Sequence, residues 1–307
     1  MHTIEVFVFS FNRGKFLKNC VDSAVRYIPN AKVNVIDDNS KDKETLQILD
    51  QLSQSVTVLK PKSSDNKRWG GFYENINWVF HDLANNPWVI FIEDDMQFIR
   101  PFLNSDFDNI NNFFKKYSNA ACLSIDFFKE EHRELNNRNV EINNTDKIYF
   151  LKNTAKTYRG TIHFNNPTIF NIKRIREIGF EYRNCRIENR NNFEQSFDRM
   201  GFYAFPLLMY LPSPPSTKNK IKTHTRHLVE RYYRTGFYPY QEMTQEELEQ
   251  FLNRDISILP YTSDWLKTTA PLPEPPFEYK DAMKRCHGVF RLIEIVEKYI
   301  RGIKVNK

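Results

Sequence analysis

Glycine is scarce, with nine residues in a chain of 307. That excludes collagen-like and glycine-rich low-complexity architectures. Cysteine is scarcer still. Cys20, Cys122, Cys185 and Cys286 lie far apart, and none forms a Cys-x-x-Cys pair. A zinc knuckle is therefore not expected, and isolated thiols suit a reducing cytosol. No apolar run approaches the ~18 residues of a membrane-spanning helix. The opening MHTIEVFVFS reads as a strand without a basic leader, so no secretory signal is expected. No internal repeat is visible. Neither sign of charge dominates: 44 Lys and Arg against 38 Asp and Glu leave +6, spread along the chain. An excess of that size suits nucleic acid, anionic small molecules or an anionic membrane surface equally.

What is present is a globular composition. Hydrophobic residues make up 40%, with 26 Phe and 15 Tyr. That is enough to bury a sizeable core in one large domain or two small ones.

The first hundred residues alternate. A strand over 4–10 is followed by a helix over 15–27, with Phe16, Leu17, Cys20, Val21, Ala24 and Val25 at helical spacing. A strand over 32–36, a helix over 43–52 and a third strand at VTVLKP come next. Residues 69–83 read as a helix around Gly70-Gly71. WVIFIEDDMQF then opens as a buried strand and runs into Glu93, Asp94 and Asp95. This is an α/β unit with a mostly parallel sheet. Ser10-Phe11-Asn12, Asp37-Asp38 and Glu93-Asp94-Asp95 all fall at carboxyl ends of strands, the edge where open α/β sheets bind ligands.

The second half is less periodic. A helix over 107–117, a strand over 121–125, a loop at NNRNVEINNTDK and a helix over 173–178 are expected. FEQSFDRMG begins another helical piece, and FYAFPLLMYL reads as one strand. PSPPSTKNKIKTHTRH reads as a polar loop of the kind that acts as a lid. Helices follow at 244–253 and 279–302. The last carries Val289, Leu292, Ile293, Val296 and Ile300 on one stripe, opposite a basic face. The default expectation is that this stripe packs back on the domain, with a membrane-surface contact as the alternative.

The order of these parts resembles the GT-A glycosyltransferases, most nearly the inverting family 2 type, up to about His227. FVFSFNRGKFLKNCVDSAV is similar to the family's first strand, nucleotide loop and helix, and VNVIDDNSKDKET to its second strand. EDD in FIEDDMQF stands where the family carries its Asp-x-Asp motif. PTIFNIKRIREIGF resembles the acceptor-side segment, and FEQSFDRMGFYAF the Glu-Asp helix. The resemblance implies a GT-A domain over 1–230, with a nucleotide-binding half at 1–100 and an acceptor half at 101–230. A helical extension over 231–307 packs on it. It implies transfer of a sugar from a nucleotide-diphosphate donor, a UDP-sugar first, to a glycan hydroxyl, with Mn²⁺ or Mg²⁺ as cofactor and no nucleic acid. The setting would be capsule or lipopolysaccharide synthesis in the cytoplasm, with peripheral contact at the inner face of the membrane as an option. A divalent ion offsets the charge that grows on a departing diphosphate, and carboxylate oxygens suit that ion.

The resemblance assigns roles residue by residue. Asp95 is the metal ligand. Glu93, on the same pleat face, holds the ribose or a metal-bound water, and Asp94 the ribose. These acids alone are also what a solvated turn carries. Asp37, ahead of Asp38, reads the base or ribose, although Asp-Asp-Asn-Ser is also a good turn. Ser10, Phe11, Asn12 and Arg13 form the other wall of the nucleotide pocket, with Arg13 toward phosphate. Gly70 and Gly71 permit close backbone approach, and Asn77 takes the family's Asn position. Lys67 or Arg68 would reach the diphosphate. Glu194 is the base, with Glu188 and Asp198 as runners-up, because Gln195 replaces the family's Asp. His224, or else His227, completes the metal shell. A non-catalytic sugar- or nucleotide-binding protein and a sugar-phosphate nucleotidyltransferase are the competing readings.

Overall fold

A computed structural model describes residues 3–61, 71–152, 168–215, 223–273 and 287–302. The nucleotide half contains β1 (Ile4–Ser10), α1 (Gly14–Tyr27), β2 (Ala31–Asp37), α2 (Lys43–Leu52), β3 (Thr57–Leu59), α3 (Phe72–Trp78), β4 (Trp88–Glu93) and β5 (Met96–Phe98). A π-helical turn, Val79–Leu83, extends α3. There follow α4 (Asn104–Lys116), β6 (Cys122–Ser124), α5 (Arg133–Asn139), β7 (Val140–Asn143), β8 (Ile148–Leu151), β9 (Thr168–Asn171), α6 (Ile172–Glu177), α7 (Arg186–Ser196), β10 (Gly201–Tyr203) and β11 (Leu208–Tyr210). The last described elements are α8 (His224–Tyr232), α9 (Gln245–Leu252), α10 (Thr262–Trp265) and α11 (Val289–Ile300).

β1 is buried along its whole length, and its two-residue period sorts side chains by shape. Val6 and Val8 join Val33, Val35, Ile90 and Ile92 in a core under α1 and α2. Phe7 and Phe9 face the opposite core, with Phe80, Phe91 and Phe170. The Phe91 ring lies between 4.9 and 5.9 Å, centroid to centroid, from those of Phe7, Phe9, Phe80 and Phe170. One face is thus aliphatic and β-branched, the other aromatic, and helices cover both.

The main sheet runs β3-β2-β1-β4-β9-β6-β10-β8-β7. β3, β2, β1 and β4 are parallel. β9 runs against β4 and β6, and β10 is parallel to β6. β8 opposes β10, and β7 opposes β8. All strands but β9 and β8 therefore point the same way. β5 and β11 form a separate antiparallel pair just beyond the carboxyl edge of β4. Together these features form an α/β sheet of GT-A architecture.

Four expectations change. NNRNVEINNTDK is not a loop; it supplies the end of α5 and all of β7, because Val140 and the buried Asn136 pack inward. FYAFPLLMYL is two strands, since the stretch through Pro206 carries the chain from the main sheet to the small one. FEQSFDRMG ends a helix instead of beginning one. α7 buries only Asn189 and Phe193, so it carries no apolar stripe to read. The stretch expected as a lid loop is helical from His224, with Thr223 accepting from the Arg226 N–H as its cap; residues 216–222 lie outside the described residues.

The segment after α8 packs onto the main core. Tyr240, Phe251, Leu259 and Tyr261 belong to it. Gln97 of β5 grips both backbone groups of Tyr240, at 2.9 and 3.0 Å. α9 starts with a capping box between Thr244 and Glu247. α11 overturns the default expectation: its apolar stripe faces outward, and its buried residue is Glu294. No described helix is long and apolar enough to cross a membrane.

Candidate active site

Strand register gathers the polar clusters. Ser10 lies opposite Asp37, and Phe9 opposite Glu93. The ladder continues one residue further. Asp38 N–H donates to the Ser10 carbonyl at 2.9 Å, and Asp94 N–H to the Phe9 carbonyl at 3.0 Å. Asp37, Asp38, Asp94 and Asp95 therefore sit along one carboxyl edge, across three adjacent strands.

Asp94 and Asp95 share one cation. Arg13 Nη1 lies 3.1 Å from Asp94 Oδ1 and 2.6 Å from Asp95 Oδ2. Asp94 also accepts from the Phe11 N–H at 3.0 Å. Burial pushes the Asp94 carboxyl up to about 6; Arg13 opposes that shift and the Asp95 charge adds to it. Cys20 lies beneath, its thiol pushed well up by burial and by both aspartates, so it is an inert core thiol. Two buried carboxylates against one guanidinium make an oxygen-rich, electron-rich corner. That donor set fits a hard divalent cation. Among the described residues no three His, Cys, Asp or Glu side chains gather as a metal cluster.

The other wall is a hydrogen-bonded turn. Asn12 adopts φ 52°, a left-handed conformation that Asn tolerates. Its Oδ1 accepts from the Lys41 and Asp42 N–H groups at 2.8 and 3.1 Å, and its own N–H donates to Ser40 Oγ at 2.8 Å. Ser40 in turn donates through N–H and hydroxyl to Asp37. Burial raises the Asp37 carboxyl, and these bonds pull it back. Asn12 thus shapes the wall more than it lines it. Ser40, legible in the sequence only as part of the Asp-Asp-Asn-Ser turn, is what links Asn12 to Asp37. Ser10 Oγ is buried and has no hydrogen-bond partner among the described residues. A bound polar ligand would satisfy it.

Gly71 N–H donates to both oxygens of Asp38, at 3.0 and 3.1 Å. A Cβ on Gly71 would stand 2.8 Å from Asp38 Oδ1 and 3.3 Å from Asn75 Nδ2. Only glycine permits that approach. The buried amide beside Asp38 is therefore Asn75, four residues after Gly71. Asn77 turns away and clamps the Tyr182 backbone, donor and acceptor both at 2.8 Å. Gly70, Lys67 and Arg68 lie outside the described residues.

α7 runs from the ligand edge toward the opposite one. Its first turn is the site end: Asn189, Arg186, Cys185 and Glu93 all lie near enough to act on the Tyr73 hydroxyl. At the far end Asp198 N–H donates to the Asn119 carbonyl at 3.2 Å, just before β6 begins. Glu194 lies toward that far end and pairs with Arg190 at 2.8 Å. Glu188 lies in the first turn, 3.7 Å from Arg183. The turn of α7 that carries Glu188 is thus the one nearer the site, and Glu194 and Asp198 lie further along toward the opposite edge. His224 and His227 are exposed on α8. The His224 N–H donates to Glu297 at 2.7 Å, and neither ring joins Asp95 in a metal cluster among the described residues.

A GT-A sheet whose carboxyl edge collects acids, a guanidinium and a glycine-started helix defines the class. Residues 5–179, more than half of the chain, match the family described as glycosyl transferase family 2, and the chain belongs to that family. No curated protein matches the chain. Similar solved structures include S. aureus TarS 1–349 in complex with UDP, at 14% identity and TM-score 0.45, over 66% of this chain and 57% of that one. Another is the mannosyltransferase PcManGT from Pyrobaculum calidifontis in complex with GDP-Man and Mn²⁺. It shows 14% identity and TM-score 0.45, over 77% of this chain and 65% of that one. The chain spans less than two thirds of either.

Proposed function

We propose that the chain is an inverting, metal-dependent glycosyltransferase. It would move a sugar from a nucleotide-diphosphate sugar, a UDP-sugar first, to a glycan hydroxyl in cell-surface polysaccharide synthesis on the cytoplasmic side. The observation that carries this reading is the row of Asp37, Asp38, Asp94 and Asp95 along one sheet edge, with Arg13 between the last two.

Asp37 and the Ser10 hydroxyl would read the nucleoside, and Asp38 with the Gly71 N–H would hold the start of α3 against it. Glu93 would take the ribose. Asp95, with Asp94 beside it, would hold Mn²⁺ or Mg²⁺, and the ion would supply charge compensation for the departing diphosphate. With few protein ligands, that site relies on substrate oxygens for the rest. Arg13, drawn from Asp95 by the ion, would turn toward phosphate. The acceptor hydroxyl needs a proton acceptor on the far side of the sugar. Glu188 takes that role in this reading, in place of Glu194, because α7 presents its first turn to the Tyr73–Glu93 corner.

The test is calorimetric titration of UDP with and without Mn²⁺, on the parent protein and on Asp95→Ala. Metal-dependent binding that disappears in Asp95→Ala is expected. Binding indifferent to both metal and mutation would sink the proposal. Donor hydrolysis should then fall about 10²–10⁴-fold in Glu188→Gln and stay near the parent rate in Glu194→Gln. An amide follows each glutamate, Asn189 and Gln195, and this favours a second reading, a non-catalytic nucleotide-sugar-binding protein. Donor binding without turnover of any donor or acceptor would support that one instead.

A further inference from the structure

α11 is docked inside out. A surface helix ordinarily turns its apolar stripe to the core. Here Val289, Leu292, Ile293, Val296, Tyr299 and Ile300 face solvent, with Val289 71% and Tyr299 83% exposed. What faces the protein is acidic. Glu294 is fully buried, between Arg291 Nη1 at 2.8 Å, Lys298 Nζ at 2.8 Å and Arg226 Nε at 3.8 Å. Glu297 accepts from the His224 and Thr225 N–H groups and the Thr225 hydroxyl, all at 2.7–2.8 Å.

This packing sorts the charges. Glu294 and Glu297 are the acids of α11, and both are turned inward and paired, Glu294 by Arg291, Lys298 and Arg226 and Glu297 by the start of α8. Four cations, Arg226, Arg291, Lys298 and Arg301, meet these two acids, so the joint keeps a net positive charge, and Arg291 and Arg301 are the partly exposed members. α8 widens the patch. Its Tyr232 is exposed and packs on Phe290 with ring centroids 5.5 Å apart, while its Arg226 and Val229 point inward.

We propose that the outer face of α11, widened by Tyr232 of α8, docks on the surface of an anionic lipid bilayer. An apolar strip flanked by arginine, with no outward acid among the described residues of α11, is what an interfacial helix presents to acyl chains and anionic headgroups. A second copy of the chain fits less well. It would bring the same basic flanks together with no outward acid of α11 to offset them. The helix is ~18 Å long, which suits lying in the interface and not crossing it.

The full chain should co-sediment with vesicles of phosphatidylcholine mixed with phosphatidylglycerol. Binding should be about tenfold weaker or more on pure phosphatidylcholine, and should weaken as salt is raised. Leu292→Asn combined with Val296→Asn removes only exposed apolar surface, so the thermal midpoint should hold while vesicle binding falls about tenfold or more. No binding to the anionic vesicles, or equal binding by the double variant, would overturn the proposal. So would a dimer in analytical ultracentrifugation that the double variant abolishes, without vesicle binding. The readout is lipid association, so its failure leaves the transfer chemistry untouched.

Discussion

At the scale of single residues, adjacent acids with the same side chain are made different by what surrounds them. Asp94 is committed to the Phe11 N–H and Arg13, whereas Asp95 meets Arg13 at its shortest contact. Glu93 is the partly exposed one of the three. Gly71 offers a clean test of this corner. Its φ is −85°, so Gly71→Ala introduces no backbone strain, and the added methyl presses on Asp38 first and on the Asn75 amide second. UDP affinity should fall about tenfold, the ~1–1.5 kcal/mol of one lost hydrogen bond, with the fold intact by circular dichroism. Asp106 tests the opposite case, a structural carboxylate. It holds Arg100 through two bonds of 2.8 and 2.9 Å and accepts from the Tyr203 hydroxyl at 2.8 Å, all buried. Asp106→Asn leaves a buried guanidinium without its counter-charge, and urea unfolding should show a loss of about 3–5 kcal/mol.

At the scale of elements, the joint between α8 and α11 is electrostatic. Burial would raise the Glu297 carboxyl, but the bonds from Thr225 and His224 outweigh that and hold it down to about 2, against an ordinary 4.5. A depressed carboxylate stabilises the folded joint at pH above its unfolded value. That contribution is lost as pH falls from about 4.5 toward 2. The protection of the α11 amides, measured against their intrinsic exchange rates, should therefore fall across that window before that of the main sheet. Glu297→Gln should loosen α11 already at neutral pH. Equal protection of α11 in Glu297→Gln and the parent would contradict the account. α7 teaches a related lesson. It stays helical because Asn189 bonds the Arg183 backbone at 2.6 and 2.7 Å and Phe193 packs on Phe180 and Phe197. Neither contact leaves a periodic trace in the sequence.

At the scale of the whole molecule, the segment after α8 completes the core. Tyr240, Phe251, Leu259 and Tyr261 pack with the sheet residues, and Phe128 exchanges backbone bonds with Pro260 and Thr262 at 2.9 and 3.0 Å. A chain ending at residue 230 would leave that apolar surface bare. It should lose cooperative thermal unfolding, whereas a chain ending at residue 273 should keep it.

The sequence by itself determined the nucleotide half. Three largely buried strands and the short, half-exposed β3, separated by amphipathic helices, carry local signals strong enough to place β1 through β4. Once β1, β2 and β4 are parallel neighbours, register alone brings Asp37, Asp38, Asp94 and Asp95 to one edge. Tertiary structure alone decided the rest. Which end of α7 lies toward the site depends on the helix direction between sheet edges, which no spacing records. Asn75 stands beside Asp38 and Asn77 on Tyr182 because two residues on a helix point about 200° apart, and only packing says which one looks inward. The outward stripe of α11 is the plainest case. Its amphipathic pattern was visible in the sequence, but a pattern states that a helix has two faces, and the side that docks was settled by Arg226, Thr225 and the two glutamates they hold.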